Sequence, residues 1–245
     1  SSAASDVYKR QTANGANTAA YGANAQATAA NASALGENSV ASAMNATAVG
    51  NAAIASNTST TAIGERAEAT GLAASAFGWD TTASGERATA VGHLAVATGV
   101  RSVSMGEAAT ANGEQSVAIG NVASATGIDA MAIGTEAVAN GNSTTTVGGE
   151  SQASGPGATA YGWRSVAGAE RSTALGHLAQ ATGVRSVAVG EAAVASADRA
   201  VAVGDQASAT FINSVAIGAG ATTTRANQVV VGTGSSTYTT PGITS

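Results

Sequence analysis

Residues 113–127 read GEQSVAIGNVASATG and contain the pattern that decides the fold. In the first half, Ser116 to Ile119 alternates in character and is closed by Gly120, with β-branched residues on one face, which predicts a short strand. The second half also alternates, places Ala123 and Ala125 on one face, and ends at Gly127. The stretch therefore predicts two short strands, each followed by a tight turn.

This unit recurs along nearly the whole chain. A glycine stands every 14 residues, sixteen times without an insertion, from Gly22 to Gly232. We number the positions of each unit from that glycine, so that −1 precedes it and +1 follows it. Position −1 is apolar or aromatic in all sixteen units, and Ala occupies position −2 in 13, position −9 in 15 and position −11 in 11. Stacked units of this kind predict an all-β protein, a parallel β-solenoid of sixteen 14-residue coils.

Side-chain size predicts what lies inside and outside each coil. The alanines at −2, −9 and −11 are expected to face inward and fill a thin slot. Because neighbours in a strand alternate, the large residues at −1 must point outward and form an apolar stripe. A soluble monomer does not leave such a stripe in water, so the sequence predicts a homotrimer that buries it. The residues predicted to form the trimer interface are Leu35, Val49, Ile63, Val91, Ile119, Ile133, Val147, Leu175, Val189, Val203, Ile217 and Val231.

Composition excludes several classes of protein. Charged residues make up 10% of the chain and aromatic residues 3%, the net charge is −5, and cysteine is absent. These values argue against disulfide frameworks, thiolate metal sites and a nucleic-acid surface. No apolar run approaches the roughly 18 residues that span a bilayer. We find no catalytic or phosphate-binding motif and expect no enzymatic activity, no cofactor and no metal site.

A longer repeat marks the candidate ligand-binding residues. Segments 85–109 and 169–193 are identical at 19 of 25 positions and lie 84 residues, or six coils, apart. Residues at +1 of successive coils are expected to stack, and tryptophan is favoured at recognition surfaces. One interpretation is therefore a binding ladder present twice, and the other is a block duplication that carried these residues along passively. The two ladders are Trp79, His93 and Glu107, and Trp163, His177 and Glu191.

Charged residues gather at the predicted turns. Arginines form columns at position −5, and several have an acidic neighbour at −6. One interpretation is a solvated rim with weak ion pairs, and the other is a set of ion pairs between chains that fixes the register of a trimer. The columns are Arg87 and Arg101, and Arg171, Arg185 and Arg199.

The segment Asn213 to Gly218 reads NSVAIG, and segments 115–120 and 185–190 are near copies. These repeats resemble the head repeats of trimeric autotransporter adhesins, the YadA-like head. The resemblance implies a left-handed parallel β-roll that trimerises into an extracellular head on the bacterial cell surface. It also implies a stalk and an outer-membrane anchor outside this sequence, with no membrane insertion by the head itself. Heads of this type can bind collagen, which makes Asn213 and Ser214 further candidate ligand-binding residues.

The repeat sets the expected domain boundaries. Residues 1–11 depart from the pattern and are interpreted as a lead-in or non-native segment. Residues 12–232 form the predicted head, and residues 233–245 an exit segment towards a neck or stalk.

Three functions are weighed from the sequence. The first is an adhesin head that attaches to a matrix protein, cells or a surface glycan. The second is a structural fibre or spacer without a ligand site. The third is an ice-binding solenoid, motivated by the Ser, Thr or Asn at −8, although Gly168 interrupts that row.

Overall fold

The structure is a computed structural model that describes residues 11–239. Every coil in this range contains a three-residue strand, a two-residue strand or both, so the predicted parallel β-solenoid of 14-residue coils is confirmed. No helix occurs within residues 11–239. Accordingly, that range contains no helical segment with the length and apolar character needed to span a bilayer. Of the predicted terminal segments, residues 1–10 and 240–245 lie outside the described residues.

The chain forms two compact units, the first ending at Glu150 and the second beginning at Ser151. Strands are numbered in chain order. The two-residue strands of the first unit are Thr12–Ala13 (β1), Gln26–Ala27 (β3), Val40–Ala41 (β5), Ile54–Ala55 (β7), Glu68–Ala69 (β9), Thr82–Ala83 (β11), Val96–Ala97 (β13), Thr110–Ala111 (β15), Ser124–Ala125 (β17) and Val138–Ala139 (β19). Its three-residue strands are Ala19–Tyr21 (β2), Ser33–Leu35 (β4), Thr47–Val49 (β6), Thr61–Ile63 (β8), Ser75–Phe77 (β10), Thr89–Val91 (β12), Val103–Met105 (β14), Val117–Ile119 (β16), Met131–Ile133 (β18) and Thr145–Val147 (β20).

The second unit repeats this arrangement. Its two-residue strands are Gln152–Ala153 (β21), Val166–Ala167 (β23), Gln180–Ala181 (β25), Val194–Ala195 (β27) and Ser208–Ala209 (β29). Its three-residue strands are Thr159–Tyr161 (β22), Thr173–Leu175 (β24), Val187–Val189 (β26), Val201–Val203 (β28), Val215–Ile217 (β30) and Val229–Val231 (β31).

Within each unit, strands of equal length pair in parallel and form two sheets, which we call the long-strand sheet and the short-strand sheet. The register is 14 residues throughout: Ala111 pairs with Ala125, and Ala125 with Ala139. Ile119 pairs with Ile133 in the same way. Equivalent positions of successive coils therefore stack directly on one another.

The core is a slot filled by alanine. Ala118 at −2, Ala125 at −9 and Ala123 at −11 have no solvent exposure, as predicted. The structure adds a fourth inward position, −4, which the sequence analysis did not identify. Ser, Thr and Ala share this position, and its hydroxyls are satisfied locally: Ser116 Oγ donates to the carbonyl of Gly113 at 2.7 Å. A small hydroxyl residue thus fits the slot because the turn beside it supplies an acceptor.

Two buried hydroxyls depart from this rule. Ser102 Oγ and Ser186 Oγ, both at −4 in the duplicated block, have no hydrogen-bond partner in the described chain. We expect Ser102→Ala to raise the free energy of unfolding by about 1 kcal/mol, because it removes an unsatisfied polar group. Ser116→Ala is the matched control and should lower stability by about 1 kcal/mol, because its hydroxyl is bonded. Urea unfolding of the two variants measures this, and equal losses of stability would contradict it.

Each coil turns at two residues with positive φ, at positions +2 and −5, such as Val122 (φ 56°) and Gln115 (φ 56°). Asn tolerates this left-handed region better than other non-glycine residues. The same row uses Asn near the start of the solenoid, where Asn31 Nδ2 donates to Asn45 Oδ1 at 3.0 Å. Side chains on these turns therefore form ladders that run from coil to coil.

Candidate functional site

The first candidate ladder is assembled as the sequence predicted. The ring centroids of Trp79 and His93 lie 4.7 Å apart with an interplanar angle of 36°. His93 Nδ1 lies 3.4 Å from Glu107 Oε1. On the other side of that carboxylate, Asn121 Nδ2 donates to Glu107 Oε2 at 3.3 Å. Four successive coils thus contribute one continuous column of side chains.

Arg66, from the coil before Trp79, extends this column. Its guanidinium carbon lies 4.4 Å from the centroid of the Trp79 ring. The same guanidinium donates to both oxygens of Asp80, at 3.3 and 3.0 Å. This hydrogen-bonded pairing lowers the pKa of Asp80 and raises the pKa of Arg66, although both groups are exposed. Asp80 therefore holds the cation over the indole.

The second ladder repeats the contacts with one change. The Trp163 and His177 centroids lie 4.9 Å apart at 17°, and His177 Nδ1 lies 3.3 Å from Glu191 Oε1. The cation over Trp163 is Arg164, 4.6 Å from the ring centroid. Arg164 belongs to the same coil as the indole, whereas Arg66 comes from the preceding coil. The duplicated ladders therefore reach the same stacked arrangement by different routes.

This stacking limits what the tryptophans can offer a ligand. Trp79 is 39% exposed and Trp163 is 43% exposed. A guanidinium and an imidazole both lie within 5 Å of each ring centroid, so they must occupy opposite faces. What each ladder presents to solvent is the edge of the indole together with the imidazole and carboxylate, a row of hydrogen-bonding groups. In the described chain, no group of three or more His, Cys, Asp or Glu side chains is arranged to hold a metal.

The remaining two candidate residues have different environments. Asn213 is exposed, and its side chain accepts from Arg199 Nη1 at 3.2 Å and donates to Asn227 Oδ1 at 3.1 Å. Ser214 occupies the inward position −4 and has no exposure. Its hydroxyl donates to the carbonyl of Phe211 at 2.7 Å. The expectation that Ser214 contacts a ligand is corrected accordingly, because a ligand cannot reach a core residue.

The outer face of the long-strand sheet presents the apolar stripe. Leu35, Ile63 and Ile217 are 49%, 39% and 42% exposed in the single chain. The valines of the same row are smaller and several are half-buried by their neighbours. The −1 residues therefore point out of the coil, as the alternation predicted.

Sequence reasoning missed three members of the first ladder: Arg66, Asp80 and Asn121. Position +2 of one coil lies beside position +1 of the next, so Arg66 could have been found from the 14-residue register. The Arg164 contact offered no such signal, because it depends on the rotamer of a long side chain.

Comparison with known proteins follows the same repeats. The family model for the YadA head domain repeat matches residues 27–53, 55–81, 69–95, 97–123, 125–149, 145–165, 167–193, 181–207 and 195–221. Among solved structures, the chain is similar to the collagen-binding domain of the Yersinia adhesin YadA, with 26% identity over 71% of this chain and 74% of that chain and a TM-score of 0.31. No curated protein matched the sequence at a significant level. Because the family model accounts for most of the sequence, the chain belongs to the YadA head domain repeat family.

Proposed function

We propose that this chain is the homotrimeric head of a bacterial cell-surface adhesin, which attaches the cell to an extracellular matrix protein or a surface glycan. Membership of the YadA head repeat family supports the adhesive role and the placement outside the cell. The observation that carries the trimer is the stripe of apolar residues at −1, exposed on the single chain.

The stripe supports trimerisation on energetic grounds. Burying one Val, Leu or Ile side chain contributes roughly 1.5–3 kcal/mol as an upper bound. Each coil contributes one such side chain, so the total far exceeds the entropy lost on association. A symmetric arrangement of three parallel chains, with Ile119 and Ile133 of each facing the shared axis, buries the row in a closed core.

For attachment, we propose the two ladders as the recognition surface. The stacked faces of Trp79 and Trp163 are occupied, so a ligand would be bound through indole edges, imidazoles and carboxylates. This row of polar groups fits the hydroxyls of a glycan or the backbone of a matrix protein. Two equal ladders on each of three chains would bind a multivalent partner by avidity.

We expect the double variant Trp79→Ala/Trp163→Ala to bind a multivalent surface at least roughly tenfold more weakly than either single variant, because avidity depends on both ladders. The measurement is binding of the purified protein to a panel of immobilised matrix proteins and glycans. Thermal unfolding should change by only about 1 kcal/mol per indole, since each is partly exposed.

Val100→Ala/Val184→Ala is the matched control. It shortens two apolar side chains, each 37% exposed, at equivalent places in the two copies of the duplicated block but away from the ladders. This control should keep full binding. If the tryptophan variant loses stability and binding together, the indoles pack between subunits and the ladders are structural. If no member of the panel binds the wild-type protein, the spacer function is favoured over adhesion.

A further inference from the structure

A second surface, on the opposite turns of the second unit, has no role in the account so far. Arg171, Arg185 and Arg199 occupy position −5 of three successive coils. The backbone N–H of Arg185 donates to the carbonyl of Glu170 at 2.9 Å, and that of Arg199 to the carbonyl of Val184 at 2.9 Å. The three side chains therefore leave one edge of the solenoid about 4.8 Å apart. We call this set the arginine row.

The arginine row is costly for the fold. Its residues have φ values of 54°, 58° and 56°, a region that disfavours long side chains. The next two coils use Asn213 and Asn227 at the same position, and asparagine suits this conformation. Three like charges on adjacent coils also repel one another. Folding alone would therefore favour asparagine throughout.

Nearby carboxylates neutralise the row only in part. Arg171 Nε lies 3.7 Å from Glu170 Oε1, and the Arg171 side chain is 63% exposed. Asp198, the other acidic neighbour, accepts a hydrogen bond from the backbone N–H of Val184 at 3.0 Å. Within residues 11–239, no carboxylate lies within ion-pair distance of Arg185.

Arg199 is engaged by a neutral group, because its Nη1 donates to Asn213 Oδ1 at 3.2 Å. Arg185 and Arg199 are both exposed. The row therefore presents guanidinium groups to solvent at a regular spacing, in a chain whose net charge is −5. Exposed cations that cost stability and lack ion partners indicate a binding role.

We propose that the arginine row binds a sulfated polysaccharide. Guanidinium groups form bidentate hydrogen bonds with tetrahedral oxyanions, which lysine cannot reproduce. A sulfated chain carries such groups at repeated intervals and can contact successive coils at once. Single-stranded nucleic acids are disfavoured because they require aromatic side chains for stacking, and positions 171, 185 and 199 alternate with no aromatic residue at −6.

The test is binding of the full chain to immobilised heparin at about 0.15 M salt. The row variant Arg171→Asn/Arg185→Asn/Arg199→Asn replaces each residue by one that fits the turn, so folding is retained. We expect its affinity for heparin to fall at least roughly tenfold, with a shallower dependence on salt. The control Arg66→Asn/Arg164→Asn/Arg225→Asn removes the same charge away from the row and should change affinity less than about threefold.

Several outcomes would overturn the proposal. Equal losses in the row variant and the control would show that only net charge matters. Binding of unsulfated hyaluronan or of DNA as tightly as heparin would show that sulfate is not recognised. Dissociation of the oligomer in the row variant would assign the arginines to register between chains. The ladder variant Trp79→Ala/Trp163→Ala should bind heparin normally, which separates this site from the proposed recognition surface.

Discussion

Gly120→Ala is expected to cause one of the largest losses of stability among single substitutions in this chain. Gly120 has a φ of 134°, a conformation that L side chains rarely adopt. A Cβ atom built there would lie 2.4 Å from the carbonyl oxygen of Gly134 in the next coil. Because both the backbone and the neighbouring coil would have to move, we expect a loss of more than about 4 kcal/mol.

Gly168→Ala is the matched control for that prediction. A Cβ at Gly168 would meet only Thr182 Cγ2, at 3.6 Å, and no positive φ constrains the position. This change should leave stability unchanged or raise it by about 0.4–1 kcal/mol, since it restricts the unfolded chain. Thermal unfolding of both variants measures the difference. A Gly120→Ala variant that melts with the wild-type protein would show that the coils can separate locally.

The second large effect is expected from Ala125→Leu. Ala125 is fully buried, and its partners in the adjacent coils, Ala111 and Ala139, are buried alanines too. Overpacking in ordinary cores costs about 1–3 kcal/mol, because neighbours can shift. Here hydrogen bonds to the coils above and below hold the wall in place, so we expect a loss above about 3 kcal/mol.

The neighbouring residue provides the control. Ser124 precedes Ala125 in β17 but points out of the coil, and the same row holds Ile54 and Val96 in other coils. Ser124→Leu should therefore change stability by less than about 0.5 kcal/mol. Urea unfolding compares the two leucine variants. Similar midpoints for both would show that position −9 is not confined by the slot.

Much of the fold could be predicted because one 14-residue period sets the strands, the turns and the register together. Once Gly120 and Gly134 are aligned, the stacking of Trp79 on His93 and of His93 on Glu107 follows. The inward position −4 could not be found in this way, because Ser116 and Thr144 look like surface residues until the turn carbonyls that accept from them are known.

The turn conformation was also beyond the sequence. Residues such as Val122 and Arg185 hold positive φ, although their intrinsic preferences argue against it. The hydrogen bonds between coils impose this conformation: the backbone N–H of Val122 donates to the carbonyl of Glu107 at 2.8 Å. Tertiary contacts of this kind override local propensity, and they leave the arginine row visible only in the structure.

The central claim is that the stripe at −1 is buried between three chains, and sedimentation equilibrium of the purified protein tests it most directly. We predict a single species of about 70 kDa, three times the chain mass of 23.2 kDa. Ile119→Asp would place three like charges in the dry core and should abolish this species. A well-folded wild-type monomer at 23.2 kDa would contradict the claim.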